Sequence, residues 1–349
     1  MTKIAVVLFN LGGPDSPEAV RPFLFNLFND PAIIGAPGPV RWALAQFISR
    51  RRAPVAREIY EKLGGRSPLL PHTEDQARAL EAALAGEGVE ARAFIAMRYW
   101  HPFTADVVAE VKRFGPDRIV LLPLYPQYSR TTSGSSIRHW HHHAAAAGLD
   151  APTTTVCCYP TEPGFVRAQA ALVAEALDAL EVERGDHPPP RVLFSAHGLP
   201  KKVIAGGDPY QWQVEQSAAA VAAALDRPGL DWRVTYQSRV GPLEWIGPAT
   251  DSEIEAAGRE GRPLVVVPIA FVSEHSETLV ELDIEYGELA HKAGVPLYRR
   301  VSTVLSAPAF IDGLAGLVRR AIAEAGAGPV SERGGRLCPG PCGQCPTTA

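Results

Sequence analysis

Val192–Pro200 reads Val-Leu-Phe-Ser-Ala-His-Gly-Leu-Pro: a short apolar run that Gly198 and Pro200 cannot continue. This predicts a buried strand with His197 just beyond its carboxyl end, where open α/β sheets bind ligands. By itself the histidine could simply bond a loop carbonyl. A second stretch, Phe271–Tyr286, also follows an apolar strand and reads Phe-Val-Ser-Glu-His-Ser-Glu-Thr-Leu-Val-Glu-Leu-Asp-Ile-Glu-Tyr. There Glu277, Glu281 and Glu285 are spaced by four, which predicts three carboxylates on one face of an α-helix opening near Ser273 or Ser276. Like charges at that spacing cost a helix a few tenths of a kcal/mol per pair, so the stripe asks for a reason. A structural reason is available in part: Thr278 with Glu281 suits a capping box, and Glu277 suits the first turn. The chemical reason is an acidic path into a cleft, facing His197, with His275 beside it. An imidazole opposed by carboxylates suits proton removal from a weakly acidic nitrogen and the handling of a divalent cation. Ser195 shares a strand face with His197 but lacks the Gly-x-Ser-x-Gly elbow of a serine nucleophile.

Outward from this centre, strand and helix patterns alternate along the chain, which predicts parallel sheets in βαβ units. Strands are expected at 3–9, Val89–Met97, Arg118–Leu122, Thr153–Cys157, Trp232–Gln237 and Pro263–Val267. Helices are expected at Val40–Arg50, Val55–Leu63, Phe165–Val182, Tyr210–Leu225 and Pro308–Ala325, among others. A chain of 349 residues exceeds one typical core. The reading is an α/β protein of two doubly wound, Rossmann-like domains, 1–155 and 156–306, followed by a C-terminal helix and tail at 307–349. No sequence repeat relates the two.

With a net charge of -4 there is no basic field for nucleic acid. No window is long and apolar enough for a membrane span. The opening strand and its Gly12-Gly13-Pro14 turn leave no room for a leader, so a cytoplasmic location is expected. Arg50-Arg51-Arg52 reads as a solvated helix end, or as an anchor for a substrate carboxylate. The run His139-Trp140-His141-His142-His143 reads as a solvated face, because three consecutive histidines point to different sides of a helix. Cys338, Cys342 and Cys345 crowd the tail, and a metal or iron–sulfur group there needs a ligand from Cys157 or Cys158.

These stretches closely resemble the ferrochelatase family. The likeness extends through Asn10-Leu11-Gly12-Gly13-Pro14, Gly64-Gly65-Arg66-Ser67-Pro68, Arg98-Tyr99-Trp100-His101-Pro102, Tyr125-Pro126-Gln127-Tyr128-Ser129, Gly207-Asp208-Pro209-Tyr210 and Glu244-Trp245-Ile246-Gly247-Pro248, in order along almost the whole chain. The resemblance implies a lyase that inserts ferrous iron into protoporphyrin IX at the last step of haem synthesis, in a cleft between the lobes. It implies His197 as the catalytic histidine and Glu277 as its partner acid, both at the iron position, with Glu274, His275, Glu281 and Glu285 along the acidic path. Leu11, Tyr60, Arg98, Tyr99, Trp245 and Phe271 are implied to line the macrocycle pocket, segments 10–68 forming its lip. It further implies a [2Fe-2S] cluster on Cys338, Cys342 and Cys345, with Cys158 favoured over Cys157 as fourth ligand.

Three positions depart from the animal members: Glu274 replaces aspartate, Leu11 replaces a pocket methionine, and Arg130 stands where those enzymes carry a cluster cysteine. Coproporphyrin or another tetrapyrrole as substrate, a carrier without turnover, monomer or homodimer, and peripheral contact with the inner membrane all stay open at this point.

Overall fold

The computed structural model describes residues 2–86, 88–239, 243–324 and 328–347. Val240, Gly241 and Pro242, and Ala325, the expected end of the last helix, lie outside the described residues. In chain order the strands are β1 Thr2–Asn10, β2 Val89–Met97, β3 Arg118–Pro123, β4 Thr153–Cys158 and β5 Arg191–His197. They continue as β6 Asp231–Gln237, β7 Leu264–Pro268, β8 Tyr298–Arg300 and β9 Val330–Ser331.

The chain divides into two compact units. One reaches to Cys158 and takes back Ala315–Arg336; the other is Tyr159–Leu314 with Leu337–Cys345. In the first unit the sheet order is β2-β1-β3-β4-β9, and every pairing is parallel. Ile4–Phe9 and Ile119–Leu122 are buried, as expected of central parallel strands covered on both faces. Trp140, on the helix Ser133–Ala147, packs edge-on against Phe9 at 6.0 Å between ring centres. Each such side chain fully buried contributes about 1.5–3 kcal/mol of transfer free energy.

In the second unit the order is β6-β5-β7-β8, again all parallel. The two sheets therefore share one winding: the strand earliest in sequence lies inside, its successor on one side, the next strand on the other. Each sheet has a topological switch point, beside β1 and β3 in the first unit and beside β5 and β7 in the second.

The two helices expected at Val40–Arg50 and Val55–Leu63 are one helix, Gly38–Glu61, running through Pro54. Ala45, Ser49, Ala53 and Tyr60 form its buried stripe, and burying that stripe along a continuous helix outweighs the roughly 3 kcal/mol that an internal proline costs. The helix Thr250–Arg259 and the short β8 and β9 were not among the expected elements. No helix is long and apolar enough to cross a membrane among the described residues.

Candidate active site

The second unit's switch point carries the titratable cluster. Val192–Ala196 are buried and His197 is the last residue of β5, aligned with Gln237 on β6. The turn that follows is packed hard against β6. The Gly198 N–H donates to the Gln237 carbonyl at 2.9 Å, and a Cβ at Gly198 would stand 2.9 Å from that same oxygen, so only glycine fits without a shift.

From the other side of β5, β7 delivers the loop through Phe271 and His275 and then the segment Glu277–Glu285. This segment is a π-helix, followed by the α-helix Tyr286–Ala293, where the sequence pattern suggested a single α-helix. Wider i→i+5 winding still stacks residues four apart near one face, and such segments occur frequently at functional sites. The capping box does not form: the Thr278 hydroxyl donates to the His275 carbonyl at 3.1 Å and accepts from the His275 N–H at 3.0 Å. Glu281 is thereby left to reach the site.

His197 Nδ1 and Glu277 Oε2 are 2.9 Å apart, with 39% of the histidine side chain and 26% of the glutamate still accessible. Burial alone would discharge both groups, but their mutual attraction wins. It raises the His197 pKa above the usual imidazole value and holds Glu277 below the usual carboxylate range. For Glu281 burial and then the neighbouring Glu277 charge push the pKa up. Its carboxylate is held by the Ser238 N–H at 2.9 Å, by the Ser238 hydroxyl, and by Gln237 Nε2 at 3.3 Å. Ser238 makes this clamp from a left-handed backbone, φ +60°. Beneath it runs a buried polar thread. Ser195 Oγ donates to Gln237 Oε1 at 2.8 Å and lies 2.9 Å from Thr250 Oγ1, which donates to Thr235 at 2.9 Å. Ser195 is thus spent on structure. Sequence reading passed over Gln237 and Ser238; their one signal was register, since they end the strand beside His197.

The remaining second-unit residues divide by environment. His275 is buried, its pKa lowered by desolvation, with its ring against Phe271 at 4.7 Å between centres. Glu274 is drawn into an ion pair with Arg300 at 2.9 Å and accepts from the Thr303 N–H at 2.9 Å. Against the upward push of burial, Arg300 keeps Glu274 ionised below its ordinary value. Glu285 is exposed. Trp245 forms a bridge with Pro200, and its buried indole N–H has no hydrogen-bond partner among the described residues.

In the first unit, Leu11, Tyr60 and Tyr99 gather in one apolar cluster with Val20, Phe23 and Leu24. Arg98 bonds Asp30 at 2.7 Å and Ser135 at 2.9 Å, and the Tyr99 hydroxyl donates to Asp30 at 2.8 Å.

Cys157 and Cys158 end β4 with sulfurs 3.4 Å apart. Cys338, Cys342 and Cys345 belong to the second unit, on tight turns closed by Cys342 N–H to Pro339 and Cys345 N–H to Cys342 bonds of 3.0 Å. Gln213 Nε2 donates to the Cys338 sulfur at 3.1 Å. Among the described residues no group of three or more His, Cys, Asp or Glu side chains is arranged to hold a metal ion.

Comparison with known proteins gives the family and the fold. The ferrochelatase family model matches residues 3–322. A ferrochelatase of Caulobacter vibrioides is 57% identical over 346 residues, covering 99% of this chain and 97% of its own. One from Phenylobacterium zucineum is 56% identical over 345 residues, covering 98% and 97%. One from Rickettsia bellii is 45% identical over 346 residues, covering 98% and 94%. Among solved structures, the sirohydrochlorin chelatase SirB from Bacillus subtilis subspecies spizizenii in complex with cobalt aligns with a TM-score of 0.55 at 9% identity, covering 93% of this chain and 97% of that one. That alignment speaks to the fold alone.

Proposed function

The chain belongs to the ferrochelatase family, and from that premise we propose that it inserts ferrous iron into protoporphyrin IX in the final step of haem synthesis, with His197 and Glu277 as its catalytic pair. The observation that carries the reading is the 2.9 Å contact between His197 Nδ1 and Glu277 Oε2 at the end of β5, with Glu281 clamped beside it.

Insertion must strip two protons from pyrrole nitrogens while a divalent ion arrives. With Nδ1 engaged by Glu277, the imidazole presents Nε2, which accepts a pyrrole proton once the ring is neutral. Glu277, kept ionised by the histidine, offers the incoming ion a hard oxygen ligand and stabilises the imidazolium that forms. Glu281, its proton affinity raised, takes the proton onward at a higher pH than an ordinary carboxylate. Glu274, His275 and Glu285 complete the acidic path in this proposal. Leu11, Tyr60, Arg98, Tyr99, Trp245 and Phe271 are the proposed porphyrin contacts. A flat macrocycle gripped on its faces can be bent to expose a pyrrole nitrogen, with remote binding energy spent at the reacting centre.

A [2Fe-2S] cluster on Cys158, Cys338, Cys342 and Cys345 is the proposed resident cofactor. Its support is the chemistry of the donors: four thiols match the thiolate set of such a cluster, and the Gln213 amide is already aimed at one sulfur. Loss of bound iron and of visible absorbance in Cys158→Ser is expected, and an unchanged spectrum would remove Cys158 from the set. Peripheral contact with an anionic inner-membrane surface, from a cytoplasmic location, is supported by the helix Gly38–Glu61. It exposes Val40, Trp42, Phe47 and Val55 and carries Arg50–Arg52.

The test of the reading is anaerobic ferrous insertion, followed by loss of porphyrin fluorescence, with protoporphyrin and coproporphyrin compared. Turnover of protoporphyrin in preference is the expected result. Tight porphyrin binding without insertion would overturn it.

A further inference from the structure

The helix Ser133–Ala147 carries four histidines in five residues, and the reaction uses none of them. They do not form a uniform solvated face: His141 and His142 are exposed, while His139 and His143 are half-buried. The Nε2 atoms of His139 and His143 face each other at 3.2 Å, with ring centres 4.4 Å apart. The exposed His142 ring stands 5.2 Å from that of His143. Positions i and i+4 share one side of a helix, so 139 and 143 meet where consecutive residues could not.

A tetrahedral zinc ion held by two imidazoles at its usual Zn–N length of about 2.0–2.1 Å separates the two nitrogens by about 3.3 Å. The observed pair already stands at that separation. Both rings favour the neutral form that ligates metal. Burial, followed by Arg98 and His143, lowers the His139 pKa to about 4, and burial followed by His142 lowers that of His143. The buried Nδ1 of His139 has no hydrogen-bond partner among the described residues, which leaves that ring fixed by packing.

From this geometry we propose that His139 and His143, with water completing the shell, bind a borderline transition-metal ion of the Zn2+ class in the first unit, distinct from the ligands of the catalytic pair. Imidazole pairs favour such ions over Mg2+ or Ca2+.

Equilibrium dialysis of the full-length protein against Zn2+ at neutral pH tests this, comparing wild type with His143→Gln and with the double variant His139→Gln/His143→Gln. His197→Ala, which leaves the helix intact, serves as the reference. Each histidine-pair variant should bind one Zn2+ fewer than wild type, His197→Ala should keep that equivalent, and Zn2+ should shift the His139 and His143 ring resonances in the wild-type protein. An unchanged Zn2+ count in His143→Gln, the milder variant at a half-buried position, would overturn the proposal and leave the 3.2 Å contact as an N–H···N hydrogen bond.

Discussion

The switch points beside β1 and β5 come from the same winding and do opposite things with charge. Beyond β1 and β2, Asp30 collects Arg98 at 2.7 Å, the Tyr99 hydroxyl at 2.8 Å, Ser135 Oγ at 2.7 Å and the Ala32 N–H at 2.8 Å. Four donors, one of them a full cation, converge on one carboxylate; despite burial, they lower its pKa and lock it. Beyond β5, two carboxylates share a single histidine, and the pKa values are pushed apart: Glu277 down, Glu281 up, His197 up. A satisfied ion pair holds structure, whereas a site with more acids than bases keeps protons available for transfer. Topology supplied two equivalent places, and in the proposed function the donor count at each decides which one performs chemistry.

The strongest way to break the contrast is to remove a member of the second-unit pair. Glu277→Gln should lower the insertion rate by roughly 10²–10⁴-fold, the range of general acid–base contributions, with porphyrin affinity little changed, as single-turnover kinetics and fluorescence titration would report. The matching change in the first unit should do the reverse. Asp30→Ala leaves Arg98, only 15% exposed, without its partner. A stability loss of about 3–5 kcal/mol is expected, read as a drop in melting temperature.

A pH series sharpens the comparison. The raised His197 pKa contributes stability that is fully present below its unfolded value near 6.5 and is lost as pH rises through the folded value. The lowered Glu277 pKa contributes stability present above its unfolded value near 4.5 and lost as pH falls through the folded one. The difference in melting temperature between wild type and Glu277→Gln should therefore peak between those two values and shrink on both sides. In the same variant the His197 ring, observed by NMR, should titrate at lower pH than in wild type, since burial then acts without its counter-charge. A midpoint that did not move would show that Glu277 does not set it. The smallest effect is expected at Ser238→Ala, which removes one of the hydrogen bonds holding Glu281. Insertion should slow several-fold, within the roughly 1 kcal/mol of an ordinary hydrogen bond, and the Glu281 pKa should rise further.

Much of this was legible beforehand. The strand ending at His197, the parallel α/β architecture, and the approach of Glu277 to His197 all rest on patterns a few residues long, where apolar runs and breakers dominate. The acidic stripe was legible as a shared face, although its π winding was not, because a spacing of four suits both windings. The single helix through Pro54 was hidden because local proline cost is visible in sequence and the buried stripe across it is not. Gln237 and Ser238 were hidden for a further reason, since their role depends on strand register, which brings together residues some forty positions apart. Glu274 and Glu281 looked alike in sequence; Arg300, distant along the chain, separates them by satisfying one and not the other.

The most direct test of the central claim is anaerobic single-turnover insertion of ferrous iron by His197→Ala and by Asp30→Asn, with porphyrin affinity measured alongside. If the end of β5 performs the chemistry, His197→Ala binds porphyrin as wild type does and inserts iron at least about 100-fold more slowly, while folded Asp30→Asn, which loosens the proposed porphyrin contacts Arg98 and Tyr99, loses affinity but at saturating porphyrin inserts iron at close to the wild-type rate. Insertion at the wild-type rate by His197→Ala would contradict the account.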